Sequence, residues 1–247
     1  MIPLIRPDWS LDGVQAFSTT RAGGVSIGPW SSLNLGSACG DDPAAVATNR
    51  RRLELLLPAS PKWLKQVHGS RVIHLDDWLP EIEADAAWTD QPGQVLAIQT
   101  ADCLPVVLAD REGGVIGAAH AGWRGLVGGV LAALVSSLPV AARRLQAWLG
   151  PAIGQQAFEV GPELRCAFLE LDAGFAGAFC KGRADRWQAD LKAIAVAQLR
   201  AAGVLAVHDC GLCTHADPAR FFSYRRDSVC GRMGSFAWLS KGAVRRG

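Results

Sequence analysis

Long uninterrupted apolar runs are absent from this 247-residue sequence. Glycine or a charged residue breaks each apolar stretch well before the roughly 18 residues that a membrane-spanning helix needs. The first ten residues, MIPLIRPDWS, lack the cationic start and long apolar core of a secretory signal peptide. From these absences we expect no membrane partner and a cytoplasmic location.

A strong excess of charge of either sign is also absent. The chain has 25 Lys and Arg against 23 Asp and Glu, a formal net charge of +2. Surfaces that bind nucleic acid usually carry a larger basic excess, so we expect no nucleic-acid partner. A dense cysteine framework is missing too, because the seven cysteines are spread from Cys39 to Cys230. Without a secretion signal, we expect these thiols to be reduced.

No repeat, low-complexity segment or Pro/Ser-rich linker divides the chain, so we predict one domain over residues 1–247. Three β-rich apolar runs, at residues 94–100, 104–109 and 115–121, are typical of strands covered on both faces. Strands and helices alternate without a strict βαβ rhythm. We therefore predict an α/β (α+β) fold with mixed β-sheets flanked by helices. Further strands are predicted at 14–20, 145–149, 205–210, 235–239 and twice within 63–75, and helices at 42–57, 126–138, 162–171 and 187–202.

Histidine is scarce, with five residues in the chain, and the placement of two of them is informative. His120 lies in VIGAAHAGWRG, where small residues surround it instead of the large ones that usually fill a core. His68 lies in KQVHGSRV beside a glycine, and Cys103 lies in TADCLPVV before a proline. All three are predicted at strand ends, where side chains from neighbouring strands can converge in one cleft.

Two imidazoles and one thiolate suit Zn²⁺, and three protein ligands leave a fourth position open for a reactant. The same donors can also hold one copper ion. The spacings of 35 and 17 residues are not diagnostic. Two alternatives are therefore open: three unrelated packing or capping residues, or a metal-free pair in which His120 lowers the thiol pKa and Cys103 acts as a nucleophile.

The segments QVHGS, TADCLPV, HAGWRG, GPAIG followed by FEVG, and FFSYRRD occur in this order. They resemble the YfiH-like family, also called the laccase-domain or polyphenol oxidase family and, more recently, the purine nucleoside phosphorylase family that includes FAMIN. STTRAGGVS, LNLG and GDDPAAVATNR match as well, so the resemblance covers nearly the whole chain. It implies a layered fold akin to the catalytic domain of the cytotoxic necrotising factor toxins. It also implies that His68, Cys103 and His120 bind a metal and form the catalytic site.

The resemblance implies a zinc-dependent enzyme whose partners are a small-molecule nucleoside and phosphate. The implied reactions are phosphorolysis of adenosine, inosine, guanosine and S-methyl-5′-thioadenosine, and deamination of adenosine. We expect a monomer or a weak homo-oligomer. Other family descriptions imply copper-dependent polyphenol oxidation or hydrolytic editing of peptidoglycan precursors. A multicopper oxidase needs paired His-x-His motifs, which this sequence lacks. A non-enzymatic binding module has little use for an open metal position.

Phosphorolysis needs an anion site beside the ribose, and arginine suits such a site. Arg124 in HAGWRG and Arg225 in FFSYRRD are the first candidates, with a surface salt bridge as the alternative for each. Arg21 and Asn34, in family-matching loops, are further candidates. Residues 208–215, HDCGLCTH, offer four donors, but a lone Cys-x-x-Cys is weak evidence for a second metal site. His74 is predicted to be an ordinary surface or core residue.

Overall fold

The structure, a computed structural model, describes residues 2–9 and 11–240, and these contain fourteen strands and six α-helices. The strands are β1 (Leu4–Ile5), β2 (Val14–Thr19), β3 (Lys62–Trp63), β4 (Val72–His74), β5 (Ala86–Thr89), β6 (Leu96–Thr100), β7 (Leu104–Asp110), β8 (Ile116–Ala121), β9 (Leu145–Leu149), β10 (Glu159–Val160), β11 (Phe179–Lys181), β12 (Trp187–Ala189), β13 (Ala206–Asp209) and β14 (Met233–Leu239). The helices are α1 (Pro43–Glu54), α2 (Trp123–Val127), α3 (Val130–Ser137), α4 (Pro162–Leu171), α5 (Leu191–Ala201) and α6 (Tyr224–Asp227). In this described part of the chain, every helix is too short or too polar to cross a membrane.

The strands form two large sheets and one small sheet. The five-stranded sheet has the order β1-β2-β14-β6-β3, and the six-stranded sheet has the order β13-β9-β7-β8-β5-β4. The small sheet has the order β10-β12-β11. Both large sheets are mixed, because β3 and β6, β4 and β5, and β9 and β13 pair in parallel while their other pairs are antiparallel. The predicted fold class is confirmed.

The two large sheets pack against each other. Side chains of β2, β6 and β14 form one buried cluster with those of β7, β8 and β9. Helices α2 to α5 cover the opposite face of the six-stranded sheet. Leu53 of α1 and the loop residues Leu33 and Leu35 pack on the outer face of the five-stranded sheet. Strands β7 and β8 are therefore buried along their whole length, which explains why their sequences are continuous apolar runs.

In the described part of the chain, four connections cross between the two large sheets: β3 to β4, β5 to β6, β6 to β7 and β13 to β14. Two of them contain predicted metal ligands. The two short strands predicted within residues 63–75 are present, but β3 pairs with β6 and β4 pairs with β5. They therefore belong to different sheets, and the turn that contains His68 lies in the crossing between them. Strands β6 and β7 also belong to different sheets, so Cys103 lies in a second crossing. The fold thus places two of the predicted ligands in sheet-to-sheet crossings.

A capping residue decides where α5 begins. The side chain of Asp190 accepts hydrogen bonds from the N–H groups of Lys192 and Ala193, as an N-cap residue does. The prediction of one helix over residues 187–202 is therefore wrong at its start. Trp187–Ala189 instead forms β12, which pairs with β10 and β11.

The helix predicted over residues 126–138 is divided by a glycine. Gly129 has a φ of +77° and separates α2 from α3. That φ is incompatible with a right-handed helix, and glycine adopts it without a steric penalty. The break lets α3 pack closely on β8, where a Cβ at Gly117 would lie 3.0 Å from Leu134 Cδ1.

We expect Gly129→Ala to lower the free energy of unfolding by about 1–2 kcal/mol, because an L-residue is strained at positive φ. An added Cβ at position 129 would meet nothing within 4 Å, so the loss reports the backbone alone. Gly177 also has open space around it but an ordinary φ, and Gly177→Ala should cause no loss. Urea unfolding of both variants is the measurement, and equal losses would contradict the expectation.

Candidate metal centre

Three donor side chains from separate parts of the chain meet at one point. Cys103 immediately precedes β7, and Pro105 of β7 lies opposite His120 of β8 in their antiparallel pair. One ring nitrogen each of His68 and His120 and the Sγ of Cys103 lie within 4.8 Å of one another. The two imidazole rings meet edge to face, with their centroids 4.7 Å apart. The structure thus brings together the residues predicted as metal ligands.

A buried aspartate joins the two histidine-bearing segments. Asp85 directly precedes β5 and is 0% exposed. Its Oδ1 lies 2.8 Å from Nδ1 of His120 and accepts a 2.9 Å hydrogen bond from the N–H of His68. Its Oδ2 accepts hydrogen bonds from the N–H groups of Val67 and Gly69, at 3.1 and 2.7 Å. A carboxylate on one ring nitrogen fixes the orientation of a histidine and leaves the other nitrogen for a metal.

The charges of these groups stabilise one another. Burial by itself would raise the pKa of the Cys103 thiol, but the charge of His120 and hydrogen bonds from both imidazoles lower it to about 6. Burial would lower the pKa of His120, but the Cys103 thiolate and the Asp85 hydrogen bond raise it to about 9. Burial would also raise the pKa of Asp85, and its hydrogen bonds with His120 and Gly69 lower it. A thiolate, the form that binds metal, is therefore available at neutral pH.

The cluster opens towards solvent on the side of His68. His120 is 3% exposed, whereas Cys103 is half-buried and His68 is exposed. Gly122 keeps space beside the donors, because a Cβ there would lie 3.0 Å from Cys103 Sγ and 3.1 Å from His68 Cδ2. Two imidazoles and a thiolate beside an opening match the donor set of a catalytic zinc site. The residues therefore fit one metal ion with a position left for a reactant.

Asp102, the neighbour of Cys103, does not belong to the donor set. Its carboxylate is buried and accepts hydrogen bonds from the hydroxyl groups of Thr214 and Ser223 and from the N–H of Arg225. Its φ of +93° is a conformation that costs a non-glycine residue about 1–3 kcal/mol. The three hydrogen bonds offset this cost, and they hold the backbone next to Cys103.

The two adjacent arginines of FFSYRRD differ in how many partners they have. The guanidinium of Arg226 makes five hydrogen bonds, to three backbone carbonyls and to Asp227. Arg225 is exposed, and its guanidinium lies 5.0 Å from the ring centroid of Phe158. Within the described residues, the one hydrogen bond of this guanidinium goes from Nη1 to the carbonyl of Glu159, at 2.7 Å. Because a guanidinium has five N–H donors, Arg225 keeps four for a ligand.

The other predicted substrate-binding residues differ in accessibility. Arg124 of α2 is exposed, and its guanidinium lies 4.5 Å from the ring centroid of Trp123. Arg21 is half-buried and donates to two backbone carbonyls. Asn34 is 0% exposed, and its amide bonds to its own loop and to the N–H of Arg232. The substrate contact of Asn34 stays a prediction.

Residues 208–215 do not gather into a second metal site. His208 lies 3.2 Å from a carboxylate oxygen of Asp8 and contacts the ring of Trp9. Across the part of the chain that the structure describes, the cluster around His120 is the one place where three metal-binding donors come together. His74 is half-buried with its ring centroid 4.3 Å from that of Trp88, in agreement with its predicted role.

The sequence did not lead to Asp85, and it indicated only in general terms that small residues such as Gly122 leave space around His120. The signal for Asp85 was its place directly before the apolar segment AAWT, because a carboxylate that enters a buried strand needs partners. Gly122 follows His120 by two residues within HAGWRG, but only the positions of Cys103 and His68 show why a side chain is excluded there.

We expect Cys103 of the metal-free protein to be alkylated by iodoacetamide with a pH midpoint of about 6, because its pKa is lowered to that value. The measurement is the alkylation rate at Cys103, followed by peptide mass spectrometry from pH 4 to 10. Cys103→Ala should remove this low-pH phase. A midpoint near 9 would contradict the description of the pair.

We expect Asp85→Asn to weaken Zn²⁺ affinity by about 10–100-fold, the usual effect of losing a partner that orients a metal-binding histidine. The amide replaces an oxygen that accepts backbone N–H groups by a group that donates, so both histidine segments are affected. Competition with a chelating indicator measures the affinity. An unchanged affinity would show that Asp85 does not orient the ligands.

The metal centre lies within a region that matches known proteins. A family model described as multi-copper polyphenol oxidoreductase laccase matches residues 15–240. The chain is 50% identical over 237 residues to a Pseudomonas aeruginosa protein named purine nucleoside phosphorylase PA4543, with 95% of this chain and 98% of that protein covered. It is 47% identical over 243 residues to purine nucleoside phosphorylase YfiH of Escherichia coli, with 97% and 100% covered.

Solved structures show the same fold. Protein NMB0706 of Neisseria meningitidis has a TM-score of 0.92 and 41% identity, with 96% of this chain and 99% of that chain covered. YlmD of Geobacillus stearothermophilus has a TM-score of 0.87 and 30% identity, with 97% and 100% covered. The chain therefore belongs to the laccase-domain family of YfiH-like proteins, as the motifs predicted.

Proposed function

We propose that this protein is a metal-dependent purine nucleoside phosphorylase that uses zinc. The observation that carries the proposal is the convergence of His68, Cys103 and His120 beside an opening to solvent. The names of relatives at 50% and 47% identity support the choice of reaction. The proposed substrates are adenosine, inosine, guanosine and S-methyl-5′-thioadenosine, with phosphate as the second substrate.

Each residue of the centre has a proposed task. His68, Cys103 and His120 hold the metal, and Asp85 fixes the ring of His120 through its 2.8 Å contact with Nδ1. When bound, the metal supplies a Lewis acid at the open side of the cluster. Gly122 keeps that side free, because any larger residue would fill the space between Cys103 and His68.

Phosphate needs a cationic partner near the ribose, and we assign this role to Arg225. Its guanidinium is exposed and keeps four N–H donors, enough for the two parallel hydrogen bonds that arginine makes with phosphate. Arg124 is exposed four residues after His120 and is proposed as a second contact to the substrate. Arg21 donates to backbone carbonyls and is proposed to support the loop beside Phe222, whose ring centroid lies 4.5 Å from its guanidinium.

Deamination of adenosine is the second proposed reaction of the same centre. Zinc deaminases activate water for attack on the purine carbon that bears the amino group. The donor set and the opening are suited to this chemistry, although the sequence lacks the H-x-E and P-C-x-x-C motifs of those enzymes. Because all seven cysteines are free thiols, which persist in reducing compartments, we propose that the protein acts in the cytoplasm. We also propose that it is a monomer or a weak homo-oligomer.

The description of the family model favours one alternative, oxidation of polyphenols by copper. The residues support a single copper site at most. The chain has five histidines and no His-x-His pair, and one three-donor cluster forms among residues 2–9 and 11–240. Multicopper chemistry needs several ions held by paired histidines, so nucleoside chemistry is the better-supported function.

The test is a nucleoside panel with the zinc-loaded protein, with and without phosphate. Free base should form from purine nucleosides only when phosphate is present, and inosine should form from adenosine in either case. We expect Cys103→Ala to reduce both activities to background, because it removes one of three ligands. The matched control is Cys166→Ala, which replaces an exposed thiol of α4 and should behave as wild type.

Absence of free base from every nucleoside would refute the proposed function. Oxidation of a phenol by the copper-loaded protein, lost on exchange to zinc, would favour the polyphenol alternative. Cleavage of a peptidoglycan precursor by a protein inactive on nucleosides would favour an editing hydrolase that uses the same three residues.

A further inference from the structure

The carboxylate and backbone of Asp102 contact several segments that are distant in the sequence. Its Oδ1 accepts a 2.6 Å hydrogen bond from the hydroxyl of Thr214. Its Oδ2 accepts a 2.9 Å hydrogen bond from the hydroxyl of Ser223 and a 2.7 Å hydrogen bond from the N–H of Arg225. Its backbone carbonyl accepts a 2.9 Å hydrogen bond from the N–H of Ile153. Segments that are far apart in the chain therefore share one residue.

These partners leave little solvent around the carboxylate. Asp102 is 8% exposed, and both Thr214 and Ser223 are 0% exposed. No Lys or Arg side chain pairs with it anywhere in residues 2–9 and 11–240. A buried carboxylate held only by neutral donors is expensive for stability, as is its φ of +93°. Hydrophobic residues would pack this position more simply, so its chemistry points to a role beyond packing.

Asp102 stands between two functional groups. It is bonded covalently to Cys103, a proposed metal ligand, and by hydrogen bond to the backbone of Arg225, the proposed phosphate ligand. The Arg225 side chain is held further along by the Glu159 carbonyl at 2.7 Å. The backbone atoms that carry the thiolate and the guanidinium are therefore tied to the same residue.

We propose that Asp102 is a positioning residue for phosphate: it fixes the Arg225 backbone relative to Cys103 and so sets the place of the anion beside the metal centre. This inference rests on the proposed function, which assigns phosphate to Arg225. Asp102 itself touches neither substrate nor metal. Its effect reaches phosphate only through Arg225, and this requirement makes the inference testable.

The test measures KM for phosphate and kcat in single and double variants. Asp102→Ala removes all three acceptor contacts and should raise KM for phosphate by about 10–100-fold, the value of one hydrogen bond to a charged group. kcat at saturating phosphate should fall by a smaller factor, and zinc content by elemental analysis should stay at one per chain. Arg225→Gln should raise KM for phosphate similarly. Combining the two should raise it no further than Arg225→Gln alone, because both changes act on one contact.

Conservative and distant variants separate positioning from stability. Asp102→Asn should restore most of the phosphate affinity, because its amide oxygen can accept from Ser223 and Arg225 while its NH2 faces the Thr214 hydroxyl. Asp110 is another buried carboxylate, at the other end of β7, where it pairs with Arg144 at 2.6 Å. Asp110→Asn should lower stability without changing KM for phosphate. Should Asp102→Ala fail to fold, Thr214→Val carries the test, with a smaller rise of about fivefold expected for one lost hydrogen bond.

Direct titration of the zinc-loaded proteins with inorganic phosphate, by calorimetry, distinguishes the two proposals. Wild-type protein that binds phosphate but forms no free base refutes the proposed function, and the Asp102 inference then stands or falls on the loss of phosphate affinity in Asp102→Ala. An active wild type whose phosphate affinity is the same in Asp102→Ala refutes the inference alone. Effects of Asp102→Ala and Arg225→Gln that multiply would also refute it, and a wild type that binds no phosphate overturns both.

Discussion

The arrangement of the metal centre depends on the buried carboxylate of Asp85. This carboxylate has no exposure to water, so each of its oxygens must be satisfied within the protein. Three consecutive N–H groups, from Val67 to Gly69, and the ring of His120 supply the partners. An exposed turn and a buried strand are thereby held to the same two oxygen atoms. The pairing of β4 with β5 and of β5 with β8 brings the turn near β8, and the Asp85 carboxylate holds the backbone of His68 to the ring of His120.

Two buried aspartates hold different parts of the metal centre in place. Asp85 holds the two histidines, and Asp102 holds the backbone between Cys103 and Arg225. Each is buried, and each ties together chain segments that belong to different sheets or loops. The sequence motifs therefore have two kinds of physical role. Some contain the proposed metal ligands, and others contain the hydroxyl and N–H groups that donate hydrogen bonds to a buried carboxylate.

Local patterns predicted those elements whose environment is uniform. Strands β7 and β8 are buried on both faces, so their apolar runs identified them directly. Predictions failed where one residue outweighs the pattern around it. Asp190 caps the start of α5 within the helix predicted over residues 187–202. The left-handed φ of Gly129 divides the helix predicted over residues 126–138. Adjacent arginines posed the same difficulty: burial and partners, which are tertiary properties, distinguish Arg225 from Arg226.

By itself, the sequence determined the class of fold, the ligand types and the family. These follow from residue identity and from the order of short motifs, and neither requires knowledge of distance. Only the tertiary structure decided that His68, Cys103 and His120 lie within 4.8 Å. Whether segments separated by 35 and 17 residues meet depends on which strands pair within each sheet and on how the chain crosses between the sheets. The tertiary structure also revealed the role of Asp85, because the groups that donate hydrogen bonds to its carboxylate come from distant parts of the chain.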